Sequence, residues 1–155
     1  TEEELDYARK FQSVITELDK EGLKAIAADI GGRDRKKELL ETPLWDFIVD
    51  RNSRYGGGGS TDVGDVSWVC PTSQIVAATC AGGTPEHTWQ MVSQGKSSIA
   101  HKGLLYAGKV LAAAAIDLLD DPELVKKAAE EFQRKTGPDG YQPLLPKDAK
   151  PWMKK

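Results

Sequence analysis

Apolar residues recur at three- and four-residue spacing near the start of the chain. Leu5, Ala8, Phe11, Ile15 and Leu18 share one face if residues 3–20 form a helix. Glu2, Glu3 and Glu4 crowd its first turn, where the helix field favours negative charge. Gly22 interrupts the pattern. Leu23, Ile26 and Ala27 suggest a short continuation that Gly31 and Gly32 end. The charged run from Arg33 to Glu38 leads into Leu39 and Leu40. Thr42-Pro43 then reads as a new helix start, with Thr42 as cap and Pro43 at the first position. Leu44, Phe47 and Ile48 are the buried candidates behind it, and the helix stops before Asn52.

The period changes after residue 65. Val66, Trp68 and Cys70 alternate up to Pro71, as a strand would, and Ile75 to Cys80 is almost continuously apolar, as in a central strand covered on both faces. His87 to Gln94 alternates again and is closed by Gly95, which favours a third strand, although Thr84-Pro85 would also suit a helix cap. From Ser98 to Leu119 the pattern is helical: Leu104, Ala107, Leu111, Ala115 and Leu118 form one face, and His101, Leu105, Ala112, Ile116 and Leu119 flank it. Asp121-Pro122 starts a further helix that ends near Gly137. Residues 138–155 are too proline-rich for regular structure and form an irregular tail with Tyr141, Leu144, Leu145 and Trp152 as anchors. The expected fold class is therefore α/β, a partial sheet covered by helices. Two or three short strands are few for an open sheet, so residues 1–155 are expected to be part of a larger one.

Composition narrows the function classes. A chain of 155 residues that is 39 % hydrophobic can form one modest domain with a core. Its 21 basic and 24 acidic residues give a net charge of -3, which argues against a nucleic-acid partner. The acidic start lacks an apolar signal core, and the longest apolar run, Val110 to Ile116, is far too short for a membrane span. A cytoplasmic location is the default expectation. Cys70 and Cys80 are too few and too far apart for a zinc knuckle, while a disulfide between them stays open.

Candidate chemistry is sparse. The run Gly56 to Gly59 suits a loop or a close approach to a ligand, but it lacks the lysine of a phosphate loop. Asp62 and Asp65 beside it lack the later ligands of a calcium loop; they could orient a histidine, cap a strand–helix junction or bind a ligand directly. His101 follows Ser97-Ser98, either of which could cap the helix. With Ser98 as cap, His101 sits at the third position, where the helix field favours a neutral imidazole. Such a histidine serves equally as a metal ligand or as a hydrogen-bonded structural group. His87 is as solitary, and neither belongs to an HxH or HExxH pattern. No G-x-S-x-G elbow is present to make a serine nucleophile.

Three blocks carry a resemblance: GSTDVGDVSWVCPTSQ (Gly59 to Gln74), GTPEHTWQ (Gly83 to Gln90) and SSIAHKGLLYAGKVLAAA (Ser97 to Ala114). Together they resemble the C-terminal part of the catalytic domain in the M20 metallopeptidase and amidohydrolase family, within it the aminobenzoyl-glutamate utilisation branch. The resemblance implies a hydrolase of the amide in p-aminobenzoyl-glutamate or a related N-acyl amino acid, with divalent metal ions, zinc or manganese, as cofactors. It aligns His101 with the last metal-binding histidine of the family and puts Asp62 beside the site. Thr61 and Val63 stand where the family often has glutamate and phenylalanine. Asp65 and His87 become candidates for contact with the substrate or with the metal ligands. The family's early His-x-Asp, its bridging aspartate and its Glu-Glu pair are not in this sequence, so no general base is present. The implied partners are the remainder of a catalytic domain, a dimerisation domain, a second hydrolase subunit and a small-molecule substrate, and the chain alone is expected to be inactive. The competing reading is a non-catalytic interaction domain in which both histidines are structural.

Overall fold

A computed structural model describes residues 1–48 and 61–150, without the side chains of residues 29–36. The glycine run Gly56 to Gly59 and Trp152 lie outside the described residues. The elements are all helical: α1 (Glu2–Gln12), α2 (Glu17–Glu41), α3 (Val63–Val69), α4 (Trp89–Gln94), α5 (Ser98–Asp120) and α6 (Pro122–Thr136). No strand occurs among the described residues, and the expected α/β class with a partial sheet is thereby corrected.

Each reassigned segment has a local cause. Val66 to Val69 falls in α3, with Cys70 at its C-cap, because Val63, Val66 and Val69 also satisfy a three-residue spacing, and the Val66 and Cys70 N–H groups donate to Asp62 and Val66 carbonyls, both at 3.1 Å. Of the stretch His87 to Gln94, Trp89–Gln94 becomes α4, where the Thr88 hydroxyl caps by accepting from the Met91 N–H. Six residues are too few to show a helical stripe. Ile75 to Cys80 is irregular but keeps a strand-like alternation, with Ile75, Ala77 and Thr79 half-buried between exposed Val76 and Ala78.

The single helix expected over 3–20 is two. A capping box at Thr16, whose hydroxyl and backbone exchange hydrogen bonds with Asp19, restarts the chain after Gln12. α2 runs through Gly22 and through Gly31-Gly32 to Glu41. Thr42 ends this helix instead of starting another: its N–H and hydroxyl both donate to the Glu38 carbonyl, at 3.0 and 2.8 Å. The expectations for α5 and α6 hold. Asp121 caps α6 by accepting from the Glu123 N–H, Pro122 takes the first position, and Gly137 at φ 69° closes it.

The chain divides into two compact units, Thr1–Gly57 with Ile75–Ala113, and Gly58–Gln74 with Ala114–Lys155. In the first, Ala8, Ala81 and Ile99 form a buried cluster joined by Tyr7, Phe11 and Leu44, while Leu23, Ala27 and Leu39 are buried on α2. Trp45 covers the end of α2, with its indole N–H donating to the Leu39 carbonyl at 3.0 Å. In the second, Ala128, Ala129 and Phe132 of α6 are half-buried and Tyr141 anchors the tail, whereas Leu144 and Leu145 are exposed. No helix of the described residues is long and apolar enough to cross a membrane.

Candidate functional site

The first unit is organised around the turn at Ala81 to Thr84. Gly83 has φ +82°, and a Cβ there would lie 2.9 Å from Ile15 Cδ1 and 3.1 Å from Leu23 Cδ2, so glycine is needed for both conformation and space. Gln94, only 1 % exposed, holds the turn from α4. Its Oε1 accepts from the Ala81 N–H at 2.8 Å, and its Nε2 donates to Thr84 Oγ1 and to the Gln90 carbonyl. From the other side Gln12 Nε2 donates to the Gly82 carbonyl, and the Gly82 N–H donates to the Pro43 carbonyl. The short loop leaving this turn carries His87, exposed and at φ 58°.

The start of α5 is the second fixed point. The Ser97 hydroxyl accepts from the Ala100 N–H at 3.2 Å, so the cap is Ser97 and His101 opens the second turn, its N–H donating to the Ser97 carbonyl. Adjacent positions on a helix point about 100° apart, and the chain uses this. Lys102 turns toward α1 and reaches Glu4 at 2.8 Å, where the Ser98 hydroxyl also donates to the carboxylate. The Lys102 ammonium, followed by further hydrogen bonds including that of Ser98, holds the Glu4 carboxyl well below the usual carboxylate range. These residues line a cleft of about 570 Å³ with Tyr7, Lys96 and Ile99. His101 does not join them. It is exposed, on the same side of α5 as Leu104, Leu105 and Gly108.

Asp62 and Asp65 belong to the second unit. Asp62 occupies the cap position of α3 without a side-chain capping bond, and its side chain is exposed. Asp65 accepts a 2.8 Å hydrogen bond from the Tyr141 hydroxyl, whose pKa is raised by that carboxylate. The aspartate that the sequence offered as a ligand-binding group thus fastens the tail.

A metal centre needs several converging donors. Among the described residues no group of three or more His, Cys, Asp or Glu side chains can hold an ion. His101 supplies one imidazole, and the described residues do not fit a metal centre by themselves. Cys70 and Cys80 are both free; burial pushes the Cys80 thiol pKa up, away from nucleophilic use. The sequence reading missed Gln94 and the Glu4–Lys102–Ser98 cluster. The structure closes a Thr1–Glu4 capping box at the start of α1, and nothing in the local sequence indicates that Glu4 also reaches α5.

No family model matches the chain, and no solved structure matches it. Among curated proteins it is similar to one subunit of the p-aminobenzoyl-glutamate hydrolase of Escherichia coli (strain K12), with 39 % identity over 153 residues. The match takes in 96 % of this chain and 32 % of that protein, so the chain spans about a third of the relative's length.

Proposed function

We propose that this chain is the C-terminal part of the catalytic domain of an M20-type, metal-dependent amidohydrolase that cleaves p-aminobenzoyl-glutamate or a related N-acyl amino acid. The observation that carries the reading is the similarity, sustained over nearly the whole chain, to a hydrolase subunit of that name. The three sequence blocks add support, because one of them aligns His101 with the last metal-binding histidine of the family.

On this reading His101 holds one divalent ion, zinc or manganese, through its imidazole. The remaining ligands and the general base come from sequence outside these 155 residues. Such ions, when bound, lower the pKa of a coordinated water toward neutrality and polarise a carbonyl. Exposure of the His101 ring suits this role, since the side chain is open to groups that this chain does not contain. His87 and the aspartate pair Asp62 and Asp65 are assigned to the surroundings of substrate or ligands. The partners are the rest of the catalytic domain, a dimerisation domain and a second hydrolase subunit, in the cytoplasm.

The test exchanges the matching third of the Escherichia coli relative for this chain and follows release of p-aminobenzoate with zinc or manganese added. We expect hydrolysis by the hybrid, none by the 155-residue chain alone, and a loss of at least about 100-fold on His101→Ala, as for removal of a group the chemistry depends on. Metal content should fall in the same variant. A hybrid whose activity and metal content are untouched by His101→Ala would refute the assignment.

A further inference from the structure

The part of α5 in the first unit is apolar on more sides than the unit covers. Its packed side is defined by Ile99 and Gly103, and a Cβ at Gly103 would stand 2.2 Å from the Ala78 carbonyl oxygen. At Gly108 a Cβ would meet nothing within 4 Å. Leu104, Leu105 and Leu111 are 69, 65 and 56 % exposed, and the small residues Gly108 and Ala112 lie between them on the helix surface. At about 100° per residue, Leu111 through Leu105 spans an arc of roughly 120°, with His101 and Gly108 near its middle. No acidic residue interrupts this arc, and Lys102 and Lys109 fall to its side.

A soluble helix that leaves so wide an apolar arc open is normally an inner helix covered from a second direction. The length comparison says what is available to cover it: about two thirds of the relative has no counterpart in this chain. The small residues at the centre would let a backbone approach closely, while the leucines on either side reach further. Contact with the same arc of a second copy would be a single helix crossing, whose narrow seam leaves part of a 120° arc uncovered.

We propose that the His101–Leu104–Leu105–Gly108–Leu111–Ala112 surface of α5 is a buried interface with the portion of the longer polypeptide that lies outside these 155 residues, and that it carries His101 into that interface. The inference rests on the reading of the chain as part of a longer hydrolase, but it concerns packing and not catalysis.

The test uses the double substitution Leu104→Lys with Leu111→Lys in two settings, the 155-residue chain and the hybrid described above. In the chain alone the pair should reduce binding of a hydrophobic dye and leave the unfolding temperature within about 2 °C, because both side chains face solvent there. In the hybrid the pair should lower the unfolding temperature by more than about 5 °C and create dye binding that the parent hybrid lacks. Lys109→Glu in the hybrid controls for charge and should do neither. A hybrid that tolerates the lysine pair with an unchanged unfolding temperature overturns the proposal, since the surface is then solvated. A chain that sediments as a dimer, dissociated by the pair, assigns the surface to a second copy and overturns it as well. A stable hybrid that needs both leucines but hydrolyses nothing leaves the interface standing and removes the functional reading.

Discussion

Replacing Gly103 by alanine tests the packing of α5 most directly. The added methyl would sit 2.2 Å from the Ala78 carbonyl oxygen, 2.8 Å from Thr79 Cγ2 and 3.1 Å from the Ala78 carbonyl carbon. Carbon–oxygen contacts settle near about 3.3 Å, so the Ala78-Thr79 backbone must withdraw by about 1 Å. It cannot do so freely. Three residues on, Ala81 is in the buried cluster and its N–H is held by Gln94. Overpacking of this kind costs about 1–3 kcal/mol, against a gain of about 1 kcal/mol from exchanging glycine for alanine inside a helix. Gly108→Ala carries the same helix gain on the same helix and meets nothing within 4 Å. The difference between the two variants therefore isolates the contact with Ala78. Urea unfolding of the 155-residue chain should place Gly103→Ala about 1–3 kcal/mol below Gly108→Ala, with Gly108→Ala above the parent. If both variants shift upward together, α5 does not lie against Ala78 as described.

Three further outcomes follow from the contacts of the two units. Gln94→Leu keeps the apolar bulk of the side chain but leaves the Ala81 N–H buried without its acceptor, which should cost about 1–3 kcal/mol in urea unfolding; an unchanged midpoint would mean that the turn is not held from α4. The depressed folded-state pKa of Glu4 makes a stabilising contribution that is complete above the unfolded carboxylate pKa of about 4.3 and is lost as pH falls below it toward the lower folded value. Glu4→Gln should accordingly flatten the acid limb of a stability–pH profile, and added salt should do the same in part. Tyr141→Phe removes the hydrogen bond to Asp65 and should speed protease cleavage within residues 138–150 while leaving the unfolding midpoint of the first unit in place.

The parts of the fold that were legible are those whose signals are local and point one way. Asp121-Pro122 and Gly137 bound α6 because a cap, a first-position proline and a positive-φ glycine have one compatible reading in that order. Thr42-Pro43 shows the opposite case. A threonine before proline suits a helix start, yet its hydroxyl can equally donate back to a carbonyl four residues earlier, and here it does. The supposed strands failed for a related reason. In Val63 to Cys70 the alternation of Val66, Trp68 and Cys70 coexists with the three-residue spacing of Val63, Val66 and Val69, so the residues satisfy both periods. With no ladder partner among the described residues, backbone bonding within the segment decides for helix. Ile75 to Cys80 has the alternation of a strand without the pairing, because what it packs on is the flank of α5 at Gly103.

The candidate site divides along the same line. That His101 lies near the start of a long helix behind a serine cap was readable from Ser97-Ser98, and of the two serines left open it is Ser97 that caps. Its neighbour Lys102 was readable as polar surface, whereas its pairing with Glu4, 98 residues away, depends on how α1 packs. The two side chains leave α5 about 100° apart, and that angle gives them different surroundings. Lys102 and Glu4 are satisfied by a contact made entirely within the first unit. His101 is left on the apolar arc, where Leu104, Leu105 and Leu111 stay more than half exposed. An imidazole set among open leucines has its environment decided by whatever covers them. The His101 ring should therefore pass from solvent in the isolated chain to a covered position in the hybrid, while the surroundings of Glu4 stay the same. Broadening of the histidine ring protons by a soluble paramagnetic probe, at one pH in both settings, measures the first, and the carboxyl carbon shift of Glu4 measures the second. A His101 ring equally open to solvent in the two settings would refute the interface.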